Sequence, residues 1–253
     1  MLMSDQHSFR YKVRGRPVGL AVIIGNDTFD RMPRRETNAV DMANMKALFK
    51  FLGFKVEKHE NKTCTEMLNI IRHVATKEDH TRFDYFALVI MTHGHHQQQQ
   101  QGCLYGTDAS IPIRELLLPL KANRCKSLVG KPKLIFIEAS HPSEKCCSYF
   151  KTDADEWLDE NVTLVPVEAD YLYCFSSVVV PASSRNICGS CYIQALKEVF
   201  ENFCHQYDIL TLLTFVNKDL SDFQSSKPES GHHKQICSIE STLTKLLFFN
   251  QSV

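Results

Sequence analysis

Three uninterrupted apolar runs constrain what this chain can fold into: Gly19 to Ile24 (GLAVII), Tyr85 to Thr92 (YFALVIMT) and Lys133 to Ser140 (KLIFIEAS). A strand with one wet face alternates apolar and polar residues. A run that is apolar at nearly every position is buried on both faces, which points to a parallel strand with helices above and below it. The segments between the runs supply those helices. Val40, Met42, Met45, Leu48, Phe49 and Leu52 recur at helical spacing and stop at Gly53, and Met67, Ile70, Ile71 and Val74 follow a candidate cap, Thr63 or Thr65. Phe54 to Lys58 reads as a short strand, Ile113 to Leu120 as a helix and Asp170 to Ser177 as a strand. Ser190 to Phe203 and Asp208 to Asp219 read as helices, and Ile236 to Phe249 as a terminal strand region. The alternation predicts an α/β fold, a three-layer sandwich whose mostly parallel sheet of about six strands carries helices on both faces.

Composition narrows the function. The 29 Lys+Arg balance 29 Asp+Glu, so no net basic field draws the chain to nucleic acid or to anionic lipid. The apolar runs fall well short of the roughly 20 residues that span a bilayer, and MLMSDQHSFRYK lacks the apolar core of a signal peptide. A cytoplasmic location is expected. With 43% apolar residues in 253, the core is large enough to hold without disulfides. The ten cysteines are read as reduced, several of them packing as small hydrophobes. Residues 1–16 form a short polar peptide, with order expected from Gly19. Gln97 to Gln101 reads as a solvated loop insertion.

In parallel sheets, sites lie beyond the carboxyl ends of the strands. Two ends carry chemistry here, MTHG (91–94) and IEAS (137–140). His93 and Ser140 are 47 residues apart, near the roughly 50 between a caspase histidine and its nucleophile. Further blocks follow in order: RETNAVDMANM (35–45), LGFKVEKHEN (52–61), LYGTD (104–108), SLVGKPKLIFIEAS (127–140), VEADYLYCFSS (167–177) and SSRNICGSCYIQAL (183–196). Together they resemble the caspase family over about residues 17–250. The resemblance implies a large-subunit region at 17–140, an intersubunit linker at 141–163 and a small-subunit region at 164–253, all in one caspase domain. It also implies a peptidase that cuts after Asp with a cysteine thiolate and a histidine. His93 matches the base and Gly94 the oxyanion-hole glycine. Arg35 and Arg185 match the two arginines that clamp the substrate carboxylate, a bidentate task suited to guanidinium.

The departures are concentrated at the nucleophile. Where the family reads Gln-Ala-Cys and then a small turn, this chain reads Glu138-Ala139-Ser140-His141-Pro142. A thiol with pKa near ~8.5 is readily drawn into thiolate beside a histidine, whereas a serine hydroxyl needs a fully oriented base and third group. Glu138 puts an anion where the family has a neutral amide. It is expected to pair with Arg35 or Arg185 and so block the pocket from within. His141-Pro142 stiffens the turn, and Ser184 removes an aromatic wall from a neighbouring subsite. Asp153, Asp155 and Asp159 are linker charges, and also candidate sites for cleavage by an active family member.

Cys146 and Cys147 lie in the linker and not beside His93. The His95, His96 and Cys103 group and His232-His233 lack metal-ligand spacing, so no metal and no cofactor are expected. The expected function is that of a catalytically inactive caspase homologue, a decoy that regulates apoptosis. Its partner would be an active caspase paralogue, or a second copy of itself, joined through the C-terminal strand, with no nucleic acid, membrane or small-molecule cofactor involved. The alternative is an active Asp-directed endopeptidase.

Overall fold

The computed structural model describes residues 9–97, 101–140, 168–176, 189–222 and 236–249, with the backbone alone described at 95–97, 101 and 140. The linker 141–163, with Asp153, Asp155, Asp159, Cys146 and Cys147, lies outside the described residues. So do Ser184, Arg185 and His232-His233.

The apolar runs are the inner strands of one sheet. β1 (Gly19–Gly25), β2 (Lys55–Glu60), β3 (Tyr85–Gln97), β6 (Lys133–Ser140), β7 (Tyr171–Ser176) and β8 (Cys237–Ser241) stand in the order β2-β1-β3-β6-β7-β8. Every pairing along that path is parallel except β7 with β8. Beyond His93, β3 continues past the main sheet into an antiparallel extension with β4 (Gln101–Tyr105) and β5 (Ser110–Pro112).

Strand alternation sorts the core into two layers. Ala21 and Ile23, then Ala87, Val89 and Met91, then Leu134 and Phe136 face α1 (Asn38–Phe51), α4 (Cys191–Phe203) and α5 (Ile209–Asp222). Leu20, Val22 and Ile24, with Leu88, Ile90, Ile135 and Ile137, face α2 (Cys64–Thr76) and α3 (Ile113–Leu117). Each Val, Leu, Ile, Phe or Met among them, once buried, contributes about 1.5–3 kcal/mol. The two layers thus clamp β1, β3 and β6 and hold their carboxyl ends in fixed register.

The helix limits follow local chemistry. Thr63 closes a capping box with Glu66 at the start of α2, and Gly53 turns the chain after α1 at φ +89°. The expected helix 113–120 is shorter than its apolar period: α3 ends at Leu117 and a 3₁₀ turn covers Leu118–Leu120. Pro119 has no N–H to give the carbonyl four residues back.

Three expectations are corrected. Order does not wait for Gly19. Tyr11 is buried and donates its hydroxyl to Asp170 at 2.6 Å, and Arg10 bridges to Leu246. The terminal strand is confined to Cys237–Ser241, after which the chain runs irregularly to place Leu247 and Phe249 in the core. The glutamine run is not wholly loop, because Gln97 pairs with Gln101 at the end of the β3–β4 hairpin. The seven described cysteines are all free thiols.

Candidate active site

The register of β3 and β6 sets the site. His93 stands opposite Ser140 and Met91 opposite Glu138, on backbones about 4.8 Å apart. The positions picked out at two strand ends are therefore neighbours across one strand pair.

His93 is buried, and its ring is fixed from the loop after β1. Nε2 is 2.8 Å from the Pro33 carbonyl and the ring centroid is 4.6 Å from that of Phe29. A carbonyl accepts only, so Nε2 carries the proton and donates. In the neutral ring Nδ1 then keeps the lone pair, the tautomer a base needs. Gly94 follows, with its place explained by crowding. A Cβ there would lie 2.8 Å from the Ala139 Cβ and 2.9 Å from the Cys103 carbonyl oxygen.

Arg35 comes from the same loop and is fully buried. Its Nη1 donates to the Asn26 carbonyl and to Asn38 Oδ1, both at 3.3 Å. Its Nη2 is 3.9 Å from Asp41 Oδ2. Asp41 sits in the first turn of α1, and its Oδ1 accepts from the Ser190 N–H at 2.7 Å, at the N-cap of α4. Two helix N-termini and a guanidinium thus converge on this carboxylate, an arrangement that favours negative charge. Burial nonetheless outweighs them and pushes the Asp41 pKa above the usual carboxylate range. Gly189 closes the contact at φ +103°, where a Cβ would come within 2.6 Å of Asp41 Oδ1.

Glu138 is 5% exposed, two residues before Ser140 on the sheet face covered by α4. Its charge helps to raise the pKa values of Cys191 and Tyr192 at the start of α4, where burial is the larger cause. The Cys191 thiol is pushed up to about 11, so it stays protonated at neutral pH. Of the two arginines expected to pair with Glu138, Arg35 has its Nη2 3.9 Å from Asp41. The other expected partner, Arg185, lies outside the described residues.

The structure thus brings together His93, Gly94, Glu138, Arg35 and the backbone of Ser140. Asp41, Asn26, Pro33 and Phe29 were missed from sequence. Asp41 had left a signal: Asn38, Asp41, Met42, Met45 and Leu48 share the buried phase of α1, and a carboxylate on that phase needs a partner. The Pro33 carbonyl had none, since backbone acceptors in loops do not show in residue type.

Among the described residues, no group of three His, Cys, Asp or Glu is placed to hold a metal ion, and no helix is long and apolar enough to cross a membrane.

Comparison with known proteins agrees with this geometry. The caspase-domain family model matches residues 18–248. Caspase-3 of Bos taurus is 35% identical over 246 residues, covering 94% of this chain and 87% of that protein. Caspase-3 of Mus musculus is 34% identical over 94% of this chain and 86% of its own length. Caspase-7 of Gallus gallus is 32% identical over 96% of this chain and 80% of its own. With a family model matching nearly its whole length and relatives above 30% identity, this chain belongs to the caspase family, with the mixed, mostly parallel three-layer fold of a caspase domain.

Proposed function

We infer that this caspase-family chain is catalytically inactive and works by binding, pairing with an active caspase in the cytoplasm and modulating it, and so regulating apoptosis. One observation carries the reading: the residue in register with the oriented His93 is Ser140, and two residues before it lies the buried Glu138. A serine hydroxyl beside a histidine reacts when a third group orients the base. The Nε2 of His93 is held here by a carbonyl, not a carboxylate. Glu138 puts a second buried carboxylate, besides Asp41, into the region of Arg35. A substrate carboxylate entering there would meet like charge in a poorly solvated site.

A partner fits the far edge of the sheet. Among the described residues β8 pairs with β7 alone, which leaves the other side of the strand for a second chain. Partner choice between an active paralogue and a second copy is a matter for co-expression, pull-down and activity assay. Association with a changed activity of the captured caspase is expected, and no association would remove the binding role.

The oriented tautomer of His93 favours a second reading, an active Asp-directed endopeptidase. Purified protein incubated with Asp-terminated peptides separates the two. No turnover above background is expected, while robust turnover abolished by His93→Ala would establish the enzyme.

A further inference from the structure

The sheet has a second open edge, distant in the strand order from β8. Among the described residues β2 pairs only with β1, so alternate N–H and C=O groups along its outer side have no strand partner among them. Beside it, between the strand and α2, lies a cavity of about 460 Å³. Ile70 and Val74 give it an apolar floor, Glu57 and His59 line it from the strand, and Glu66 and His73 from the helix. Positions 66, 70, 73 and 74 share one side of α2, so the lining continues along two helical turns.

The polar groups on this lining are unevenly satisfied. Glu57 pairs with Lys55 at 2.7 Å, and Glu66 accepts from Thr63 with Lys62 at 3.8 Å. His59 is half-buried and makes no hydrogen bond to another described residue, and burial holds its pKa below the usual value. The lining thus carries two carboxylates, Glu57 and Glu66, with Lys62 beside the second and Lys55, outside the lining, beside the first. Charged residues on an edge strand ordinarily discourage pairing. On β2 they are matched within the strand, Lys55 with Glu57 and Lys58 with Glu60, so the edge is not blocked by a lone charge.

An open strand edge alongside a cavity with an apolar floor and acidic walls suits one occupant. We propose that the groove between β2 and α2 docks an extended peptide segment of a partner protein, added beside β2 as a further strand, with a Lys or Arg stem laid over Ile70 and Val74. Backbone pairing supplies affinity and the cavity selects the side chain, as in other strand-addition sites. A long aliphatic stem with a charged tip matches an apolar floor bounded by Glu57 and Glu66. A small molecule would leave the strand edge unused.

The test uses the full chain and a blocked, fluorescein-labelled peptide, Thr-Val-Arg-Val-Thr, followed by anisotropy and by amide shifts. Saturable binding is expected, with shifts at residues 55–60 and 66–74. Replacing the peptide Arg with Glu should weaken binding about tenfold, and Glu57→Gln should weaken it about two- to fivefold. Ile70→Lys should remove it, with thermal unfolding of both variants checking that they fold. No saturation up to about 1 mM overturns the proposal. So do equal binding of the Glu-containing peptide or shifts centred on residues 237–241 at the other sheet edge.

Discussion

Gly94 is where one added carbon tells most about the site. The first two atoms it would meet are the Ala139 Cβ and the Cys103 carbonyl oxygen, the second a backbone atom, so neither neighbour yields cheaply. Gly94→Ala is expected to destabilise the fold by about 1–3 kcal/mol, the usual range for overpacking, read as a lower denaturant midpoint at unchanged slope. An unchanged midpoint would mean that β3 and β6 are less tightly held than the register implies. The same tightness explains why the site was partly legible from residues alone. His93, Gly94 and Ser140 belong to strand-end motifs with fixed spacing. Asp41 belongs to a helix and reaches the site only because α1 and α4 start side by side.

Among the elements, the inner strands were the most legible. β1, β3 and β6 are buried on both faces, so their sequence has no alternation to misread. The ends were less so. Pro119 cut α3 short of its apolar period, and β8 stopped at Ser241 although apolar residues continue to Phe249. Those last residues enter the core from irregular chain, a tertiary outcome that periodicity does not encode. Between α2 and β3 lies the turn His80–Arg82, where His80 is fully buried with Nε2 2.8 Å from the Val74 carbonyl. Burial lowers its pKa below the ordinary 6.5. As pH falls through that value the unfolded chain takes up a proton that the folded chain does not. The stability tied to neutral His80 is therefore full above pH 6.5 and is lost progressively as pH falls below it. His80→Gln keeps a donor in place and removes the titration. It should flatten the decline of unfolding free energy between about pH 6.5 and 5, measured by denaturant titration. An unaltered decline would assign it to other groups.

Across the whole molecule, the chain's first described residues tie its two ends to the sheet. The Tyr11 hydroxyl donates to Asp170 at 2.6 Å and accepts from the Thr244 N–H at 3.0 Å. Asp170 holds φ +65° just before β7, and Thr244 follows β8. One side chain thereby joins the N-terminal segment to the approaches of both strands at the β8 side of the sheet. Tyr11→Phe leaves the buried Asp170 short of a hydrogen bond and should cost about 1–3 kcal/mol in unfolding free energy. A loss below about 0.5 kcal/mol would show that the segment is held by its backbone bridge to Leu246 alone. The mostly parallel sheet and both helical layers were legible in the sequence because they rest on period and burial, whereas the strand order was not read from it. This strap was not, because a polar segment gives no sign of which distant carboxylate it will meet.

On the proposed reading, Glu138 closes the site together with Ser140, and the exchange of sulfur for oxygen is not the whole of the difference. The direct measurement is turnover of an Asp-terminated fluorogenic peptide by Ser140→Cys and by Ser140→Cys with Glu138→Gln. Background turnover is expected for the single variant and measurable cleavage, dependent on His93, for the double one. Full cleavage by Ser140→Cys alone would contradict it, showing that Glu138 leaves the pocket open and that Ser140 is the whole of the difference.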